Sequence, residues 1–237
     1  DAHASAAPDY IETGVEVLKE TGADNVGGVM ETKAKSPMGQ RIADVLSSPF
    51  GVGNSKFRTS GEDGYVDTVP FGAYPRTLFA EIGGYDTRLV RNQDNELNYR
   101  IRANGGKIFL SNQIKLAYYC RDTLTGLTKQ ARLNGKWTIL TSKFVPGSMG
   151  LRHFVPLLFL LSLIVLPLLS ILHPFFGYLL LIELILYAGL DLYASFQGNA
   201  TKPKDIFIKF WIYPLYHLSY GIGSIQGLWS LRTIQDE

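Results

Sequence analysis

The spacing of apolar residues predicts alternating helices and strands over the first 150 residues. Apolar positions three and four residues apart favour helices, and proline near a start with glycine at an end fits their termini. Helices are predicted at 7–22, 36–46, 75–82 and 93–103. Strands are predicted at 26–30, 65–69, 107–110 and 114–120, and residues 47–60 are expected to form a loop. Strands interleaved with helices predict an α/β layer fold.

The last 87 residues replace this pattern with long apolar runs. Residues 153–182 carry no formal charge at neutral pH, and about 20 apolar residues are enough to span a bilayer. Because His173-Pro174 interrupts the run, residues 154–193 predict a helical hairpin. For a third segment, 206–231, the pattern leaves open whether it spans the bilayer or lies in its interface.

Charge divides the chain at the same place. The first 150 residues hold 18 basic and 16 acidic residues, whereas the last 87 hold five of each. The formal net charge of +2 excludes a polybasic nucleic-acid binder or an acidic disordered tail. We therefore predict a water-soluble part with an interfacial helix, 1–150, and a membrane part, 151–237. The expected partner is a lipid bilayer, and no nucleic acid is expected.

Basic residues flank the predicted hairpin on both sides and predict its orientation. Such residues favour the cytoplasmic face of a membrane, and here they are Lys129, Arg132, Lys136, Lys143 and Arg152 before the hairpin and Lys202, Lys204 and Lys209 after it. We expect a multi-pass protein of the cell membrane with residues 1–150 in the cytoplasm. Within the hairpin, Glu183 is expected to be an interhelical hydrogen-bonding group or part of a lipid-acceptor groove. Gly223 and Gly227 have the spacing that suits close helix packing.

Asp1 and His3 place a carboxylate and an imidazole two residues apart. In an extended segment or a turn, both could approach one divalent cation. The alternative is a solvated or structural role, because this pattern is common by chance. A metallophosphoesterase would also use it, but such an enzyme needs more histidines, and the others here (His153, His173 and His217) fall in the apolar part.

The segment 93–100 opens a helix with acidic groups, whose charge is favoured near a helix N-terminus. Asp94 would then stay ionised and face a cleft, as a general base requires. The alternative is a capping carboxylate, with Glu96 and Arg100 forming a surface pair one turn apart. This segment alone leaves both interpretations open.

Six short motifs follow one another along the chain: Asp1-Ala-His3, Val66-Asp-Thr-Val69, Phe71-Gly-Ala-Tyr-Pro-Arg76, Gly83-Gly-Tyr-Asp86, Arg91-Asn-Gln-Asp-Asn-Glu-Leu-Asn-Tyr-Arg100 and Leu133-Asn-Gly-Lys-Trp137. In this order they resemble the inverting glycosyltransferases of family 2, and more narrowly the membrane-bound sugar transferases of the succinoglycan-biosynthesis type. The resemblance covers nearly the whole chain. It implies the C-terminal part of a GT-A-like nucleotide-sugar transferase domain, followed by a small transmembrane helical region.

The resemblance also implies roles for matching residues. Asp94 falls on the position of the catalytic base, and Asp1 and His3 fall on the motif that holds Mg²⁺ or Mn²⁺ against the donor diphosphate. Trp137 falls near the Q-x-x-R-W box of the family and is expected either to stack on a sugar or to anchor at the bilayer interface. Gln93 and Asp67 are further expected substrate contacts, although Asp67 could instead cap a strand end.

The implied activity is transfer of a sugar from a nucleotide-sugar donor, expected to be a UDP-sugar, to a lipid-linked or growing polysaccharide acceptor. One base and one cation suffice for such a step, whereas a glycosidase sets two carboxyl groups across the scissile bond. The alternative is an inactive membrane-anchored scaffold that keeps the fold. Because the metal motif stands at residue 1, we expect a nucleotide-binding half upstream and no transfer by these 237 residues alone.

Overall fold

The structure is a computed structural model that describes residues 3–59 and 61–232. Within these residues it has a mixed α/β architecture with one four-stranded sheet. The elements in chain order are β1 (Ala4–Ala6), α1 (Tyr10–Thr21), β2 (Asn25–Lys33), α2 (Pro37–Leu46), α3 (Pro49–Val52), α4 (Lys56–Thr59), β3 (Gly64–Tyr65), α5 (Arg76–Ile82), α6 (Gln93–Ala103), β4 (Ile108–Tyr119), α7 (Leu124–Phe144), α8 (Val155–Ser170), α9 (Pro174–Ser195) and α10 (Pro203–Ser230).

The chain divides into two compact units that interleave along the sequence. The first unit contains the sheet and comprises the residues up to Lys33, Asn54–Cys120 and Thr141–Met149. The second unit is helical and comprises Ala34–Gly53, Arg121–Leu140 and the residues from Gly150 onward. Composition predicts a functional division at residue 150, which differs from the boundaries of these units and stays a prediction.

β4 is the central strand of the sheet. It pairs in parallel with β2, and β1 and β3 pair antiparallel with it at its two ends. The register between β2 and β4 shifts after Gly28. A Cβ at Gly28 would lie 1.9 Å from the carbonyl oxygen of Ile114, so only glycine permits this close approach of the backbones.

Several sequence predictions of helices are confirmed. α1 ends at Gly22, which adopts the left-handed conformation with φ of 61°. α2 begins after Ser36, whose hydroxyl accepts a hydrogen bond of 2.9 Å from the Gly39 N–H. α5 and α6 lie where they were predicted, and Leu97 and Ile101 of α6 are fully buried in the core.

The strand and loop predictions need three corrections. The predicted strands 107–110 and 114–120 form one strand, β4, because the residues beside the register shift interrupt its alternation without ending it. The predicted strand 65–69 pairs only over Gly64–Tyr65, and the buried Val69 instead packs in the core under the helices. The predicted loop 47–60 contains α3 and α4. Ser48 caps α3 by accepting a hydrogen bond from the Phe50 N–H, so a Ser-Pro start again opens a helix.

The predicted helical hairpin corresponds to α8 and α9. The first helical stretch, Leu151–Ser170, consists of a 3₁₀ turn (Leu151–Phe154) followed by α8, and the second is α9 (Pro174–Ser195). Their mean hydropathies are 2.3 and 1.8, and only 6% of the most apolar window of each is buried. They are thus long and apolar enough to cross a membrane, which supports membrane association. Ser162 donates a hydrogen bond of 2.6 Å to Glu183 across the two helices, as the interhelical interpretation of Glu183 requires.

α10 is one continuous helix that packs closely on α7. A Cβ at Gly223 would lie 2.0 Å from the carbonyl oxygen of Arg132, and one at Gly227 would lie 2.7 Å from that of Lys136. These contacts confirm the prediction of close packing at the two glycines.

A buried ion pair joins α2 to α10 in the second unit. Lys209, whose side chain is fully buried, donates a hydrogen bond of 3.2 Å to Asp44. Asp44 also accepts hydrogen bonds from the backbone N–H groups of Asn199 and Ala200, in the connection between α9 and α10. Lys209 is therefore an internal partner of Asp44, and the positive charge that flanks the hairpin comes from the other basic residues.

Candidate functional site

A cavity of about 220 Å³ in the first unit contains Asp94. Its wall combines one carboxylate, one guanidinium, three other polar side chains and three aromatic rings. The residues that line it are Met30, Phe57, Arg58, Thr68, Pro70, Phe71, Asn92, Asp94, Asn95 and Tyr118. A concave site with a few polar groups among aromatic ones is typical of small-molecule binding.

α6 positions Asp94 at the cavity. The helix begins after Asn92, which has a left-handed φ of 64°, and Asp94 lies in the first turn. Burial raises the pKa of the Asp94 carboxyl above its ordinary value, whereas the helix N-terminus favours the ionised form. Burial and the charge of Asp94 together raise the pKa of Tyr10 to about 12, so this phenol remains protonated near the carboxylate.

Two residues of the cavity wall, Phe71 and Asn92, have positive φ values of 51° and 64°. Such a conformation is unfavourable for phenylalanine and costs about 1–3 kcal/mol, whereas asparagine adopts it more readily. Neighbouring residues hold both in place, because the Tyr10 hydroxyl donates a hydrogen bond of 2.6 Å to the Phe71 carbonyl. The Asn92 amide donates one of 3.4 Å to Thr141. Backbone strain of this kind concentrates at functional sites.

A buried polar network lies behind the cavity. Asn25 of β2 donates a hydrogen bond of 2.6 Å to the side-chain oxygen of Asn98 on α6. Asn98 donates one of 2.7 Å to Thr68, which in turn donates one of 3.1 Å to Asn95. Asn25 and Asn98 are fully buried. Because Thr68 and Asn95 line the cavity, the network fixes the start of α6 against the segment that follows β3.

The predicted substrate contacts take different positions. The Gln93 side chain donates a hydrogen bond of 2.8 Å to the Leu89 carbonyl, and the Asp67 side chain is exposed. Neither residue lines the cavity. Trp137 lies half-buried on α7 in the second unit. Their roles in substrate binding stay predictions.

Only part of the predicted metal motif can be compared with the structure. Asp1 lies outside the described residues, and the His3 carbonyl accepts a hydrogen bond of 2.7 Å from the Tyr119 N–H. This bond places His3 at the end of β4 that carries the cavity residue Tyr118. In residues 3–59 and 61–232, no three His, Cys, Asp or Glu side chains come together as metal ligands. Because Asp1 is one of the two predicted ligands, the Mg²⁺ or Mn²⁺ site at Asp1 and His3 stays a prediction.

Sequence reasoning missed three functional candidates, Phe57, Arg58 and Tyr118. Phe57 and Arg58 fall in the segment that was predicted as a loop, and only the short helix α4 brings them to the cavity. Tyr118 fits the alternation of apolar and polar residues along β4. This pattern indicates packing of the strand and does not indicate a site. Phe71, Asn92 and Asn95 fall within the motifs that carry the family resemblance, so those motifs could have identified them.

The comparison with characterised proteins supports the predicted class, because its matches act in glycan synthesis and include a glycosyltransferase. The chain is 32% identical over 160 residues to the succinoglycan biosynthesis protein ExoA of Rhizobium meliloti, a match of 66% of the chain and 48% of the relative. It is 28% identical over 135 residues to a Methanococcus voltae enzyme, the dolichyl N-acetyl-alpha-D-glucosaminyl phosphate 3-beta-D-2,3-diacetamido-2,3-dideoxy-beta-D-glucuronosyltransferase. That match covers 54% of the chain and 42% of the relative.

The chain spans less than half the length of each of these curated relatives. No family model matches the chain. No solved structure matches it significantly either.

Proposed function

We propose that the protein is an inverting, family 2-like glycosyltransferase that transfers a sugar from a nucleotide-sugar donor to a lipid-linked or growing polysaccharide acceptor. The observation that carries the proposal is Asp94, a carboxylate at a helix start inside an aromatic-lined polar cavity. The two relatives support it, since one is named for succinoglycan biosynthesis and the other for sugar transfer to a dolichyl sugar phosphate. A GT-A-like catalytic domain and a UDP-sugar donor belong to the same proposal.

Asp94 acts as the general base of the transfer. An acceptor hydroxyl gives its proton to the Asp94 carboxylate, and its oxygen forms a bond to the anomeric carbon of the donor sugar. The bond between that carbon and the donor diphosphate breaks, and the nucleoside diphosphate leaves with the electron pair. Attack opposite the leaving group inverts the anomeric centre. The elevated pKa of Asp94 makes its carboxylate a stronger base than an exposed aspartate.

The other cavity residues position the sugar. Phe57, Phe71 and Tyr118 offer ring faces to the apolar face of a sugar, and Thr68 and Asn95 offer hydrogen-bonding groups. A volume of about 220 Å³ lies below the roughly 300–1,000 Å³ that is common for small-molecule sites. It suits one monosaccharide group, and the nucleotide of a donor would extend outside it.

The proposal places the protein in the cell membrane as a multi-pass protein with its catalytic part in the cytoplasm. Basic residues on both sides of the hairpin support this orientation. Single cysteines at Pro174 and Lys204 in a Cys120→Ala background test it. Impermeant labelling of intact cells is expected at Pro174 and not at Lys204, and the reverse would refute the orientation.

The proposed activity is tested by incubating membranes from cells that express the full-length gene product with a radiolabelled UDP-sugar. Labelled product should appear in the lipid or polysaccharide fraction, and the Asp94→Asn variant should reduce it without reducing binding of the donor. The exposed Glu12→Gln variant on α1 serves as the matched control. An inactive scaffold would give no product and the same donor binding with either variant.

A further inference from the structure

Arg58 places a positive charge on the wall of the cavity that contains Asp94. Its guanidinium carbon lies 5.4 Å from the ring centre of Tyr118 and 5.7 Å from that of Phe57. The guanidinium also donates a long hydrogen bond of 3.5 Å to the Thr32 hydroxyl. Stacking on aromatic rings and a hydrogen bond restrict the rotamers of an arginine. The guanidinium is therefore held at the cavity wall before any substrate binds.

Arg58 and Asp94 give one small cavity two groups of opposite charge. Both residues line the cavity, and Arg58 contacts the rings of Tyr118 and Phe57 there. The carboxylate suits the hydroxyl of a substrate, and the guanidinium suits an anionic group of that substrate.

We propose that Arg58 binds a phosphate group of the sugar that occupies this cavity, so that the occupant is a sugar phosphate with one hydroxyl at Asp94. The inference rests on the proposed function and names the chemistry of its substrate. A guanidinium binds phosphate through two parallel N–H donors, which fixes orientation as well as charge. The phosphate belongs either to a lipid-linked acceptor or to the donor diphosphate, and both sources share this chemistry.

Binding of simple probes to the purified full chain tests the site without catalysis. Glucose 1-phosphate and glucose are titrated calorimetrically against wild type, Arg58→Gln, Arg58→Lys and Lys56→Gln. Wild type should prefer glucose 1-phosphate over glucose, and Arg58→Gln should reduce this preference by about 10- to 100-fold, as loss of a charged hydrogen bond does. Arg58→Lys should retain part of the preference, since it keeps the charge.

Lys56→Gln is the matched control, because it removes a positive charge from the same short helix at an exposed position outside the cavity. It should leave the preference unchanged. Thermal unfolding temperatures of the four proteins show whether each variant is folded, and the partial retention in Arg58→Lys separates lost recognition from lost folding. An unchanged preference in folded Arg58→Gln, or none in wild type, overturns the proposal.

Transfer kinetics then identify the source of the phosphate. If the acceptor carries it, Arg58→Gln raises KM for the acceptor and leaves KM for the UDP-sugar unchanged. If the donor diphosphate supplies it, KM for the UDP-sugar rises instead. Wild type could prefer glucose 1-phosphate through Arg58 and still catalyse no transfer. That result would support the sugar phosphate site and refute the proposed activity.

Discussion

Glu96 and Arg100 form an ion pair one turn apart on α6, and the Glu96 side chain is only 2% exposed. Arg100 also donates hydrogen bonds of 2.5 Å and 2.7 Å to the carbonyl oxygens of Ile82 and Gly84. The pair therefore joins α6 to the end of α5 and is more buried than a surface pair. It gives Glu96 a structural role and leaves Asp94 as the carboxylate of the cavity.

Arg100→Met should destabilise the protein by about 3–5 kcal/mol, because it leaves the buried carboxylate of Glu96 without its partner. The double variant Glu96→Met with Arg100→Met should recover most of that loss, since removing both charges of a buried pair is often close to neutral. Chemical unfolding of the purified proteins measures both effects. Equal stability of Arg100→Met and wild type would show that the pair is not coupled to folding.

Asp94→Asn should lower the rate of sugar transfer by about 10²- to 10⁴-fold, the usual contribution of a general base. The variant keeps the shape of the side chain and loses the basic charge, so binding of the donor should persist. Steady-state transfer rates with saturating donor measure the loss, and Glu12→Gln should match wild type. A wild-type rate in Asp94→Asn would leave Asp94 with a structural role only.

The pH dependence of transfer follows from the elevated pKa of Asp94. Only the ionised carboxylate accepts a proton, so the rate should fall as pH decreases, with a midpoint above about 3.9, the ordinary value for aspartate. A group whose pKa is raised on folding contributes stability below its unfolded pKa, and this contribution is lost as pH rises through the folded pKa. Asp94→Asn avoids that loss.

The unfolding temperature of Asp94→Asn, relative to that of wild type, should therefore increase as pH rises from the unfolded to the folded pKa of Asp94. Transfer rates and unfolding temperatures over a pH series check the two parts of this prediction. A constant difference in unfolding temperature would mean that the pKa of Asp94 is not raised by folding.

The sequence predicted those parts of the fold that local signals determine. Ser36 before a proline sets the start of α2, and Gly22 sets the end of α1, because each acts through its own backbone geometry. The register shift opposite Gly28 could not be predicted, since it depends on the approach of a strand that lies about 80 residues away in the sequence. The helix start marked Asp94 as a candidate, and only the family resemblance favoured a general base over a cap.

Arg58 was missed for a comparable reason. Its importance comes from tertiary contacts with Tyr118 and Thr32, and the residues next to it in the sequence carry no signal of those contacts. A cavity formed by several separate segments is determined by how those segments pack. Local pattern therefore predicts the elements that carry such a site better than it predicts the residues that meet there.

A divalent cation, Mg²⁺ or Mn²⁺, remains a prediction from the Asp1 and His3 motif. Asp1→Ala and His3→Ala should each raise the metal concentration needed for half-maximal transfer, because each removes one ligand that holds the cation against the donor diphosphate. Titration of metal into chelator-treated protein measures this concentration, with direct metal binding as a second readout. Unchanged titrations in both variants would remove the metal assignment from these residues.

Gly223→Ala should destabilise the packing of α7 on α10. A Cβ at Gly223 would lie 2.0 Å from the carbonyl oxygen of Arg132, and a backbone atom in a helix cannot move aside as a flexible side chain can. The two helices would have to separate, with a loss that overpacking puts at about 1–3 kcal/mol.

Gly189→Ala provides the matched control, because Gly189 also lies inside a helix but a Cβ there meets nothing within 4 Å. Alanine favours helix over glycine by about 0.5–1 kcal/mol, so this variant should be as stable as wild type or slightly more so. Thermal unfolding of both variants in the same detergent makes the comparison. If the two substitutions had equal effects, helix propensity alone would explain them, and the close contact at Gly223 would not contribute to stability.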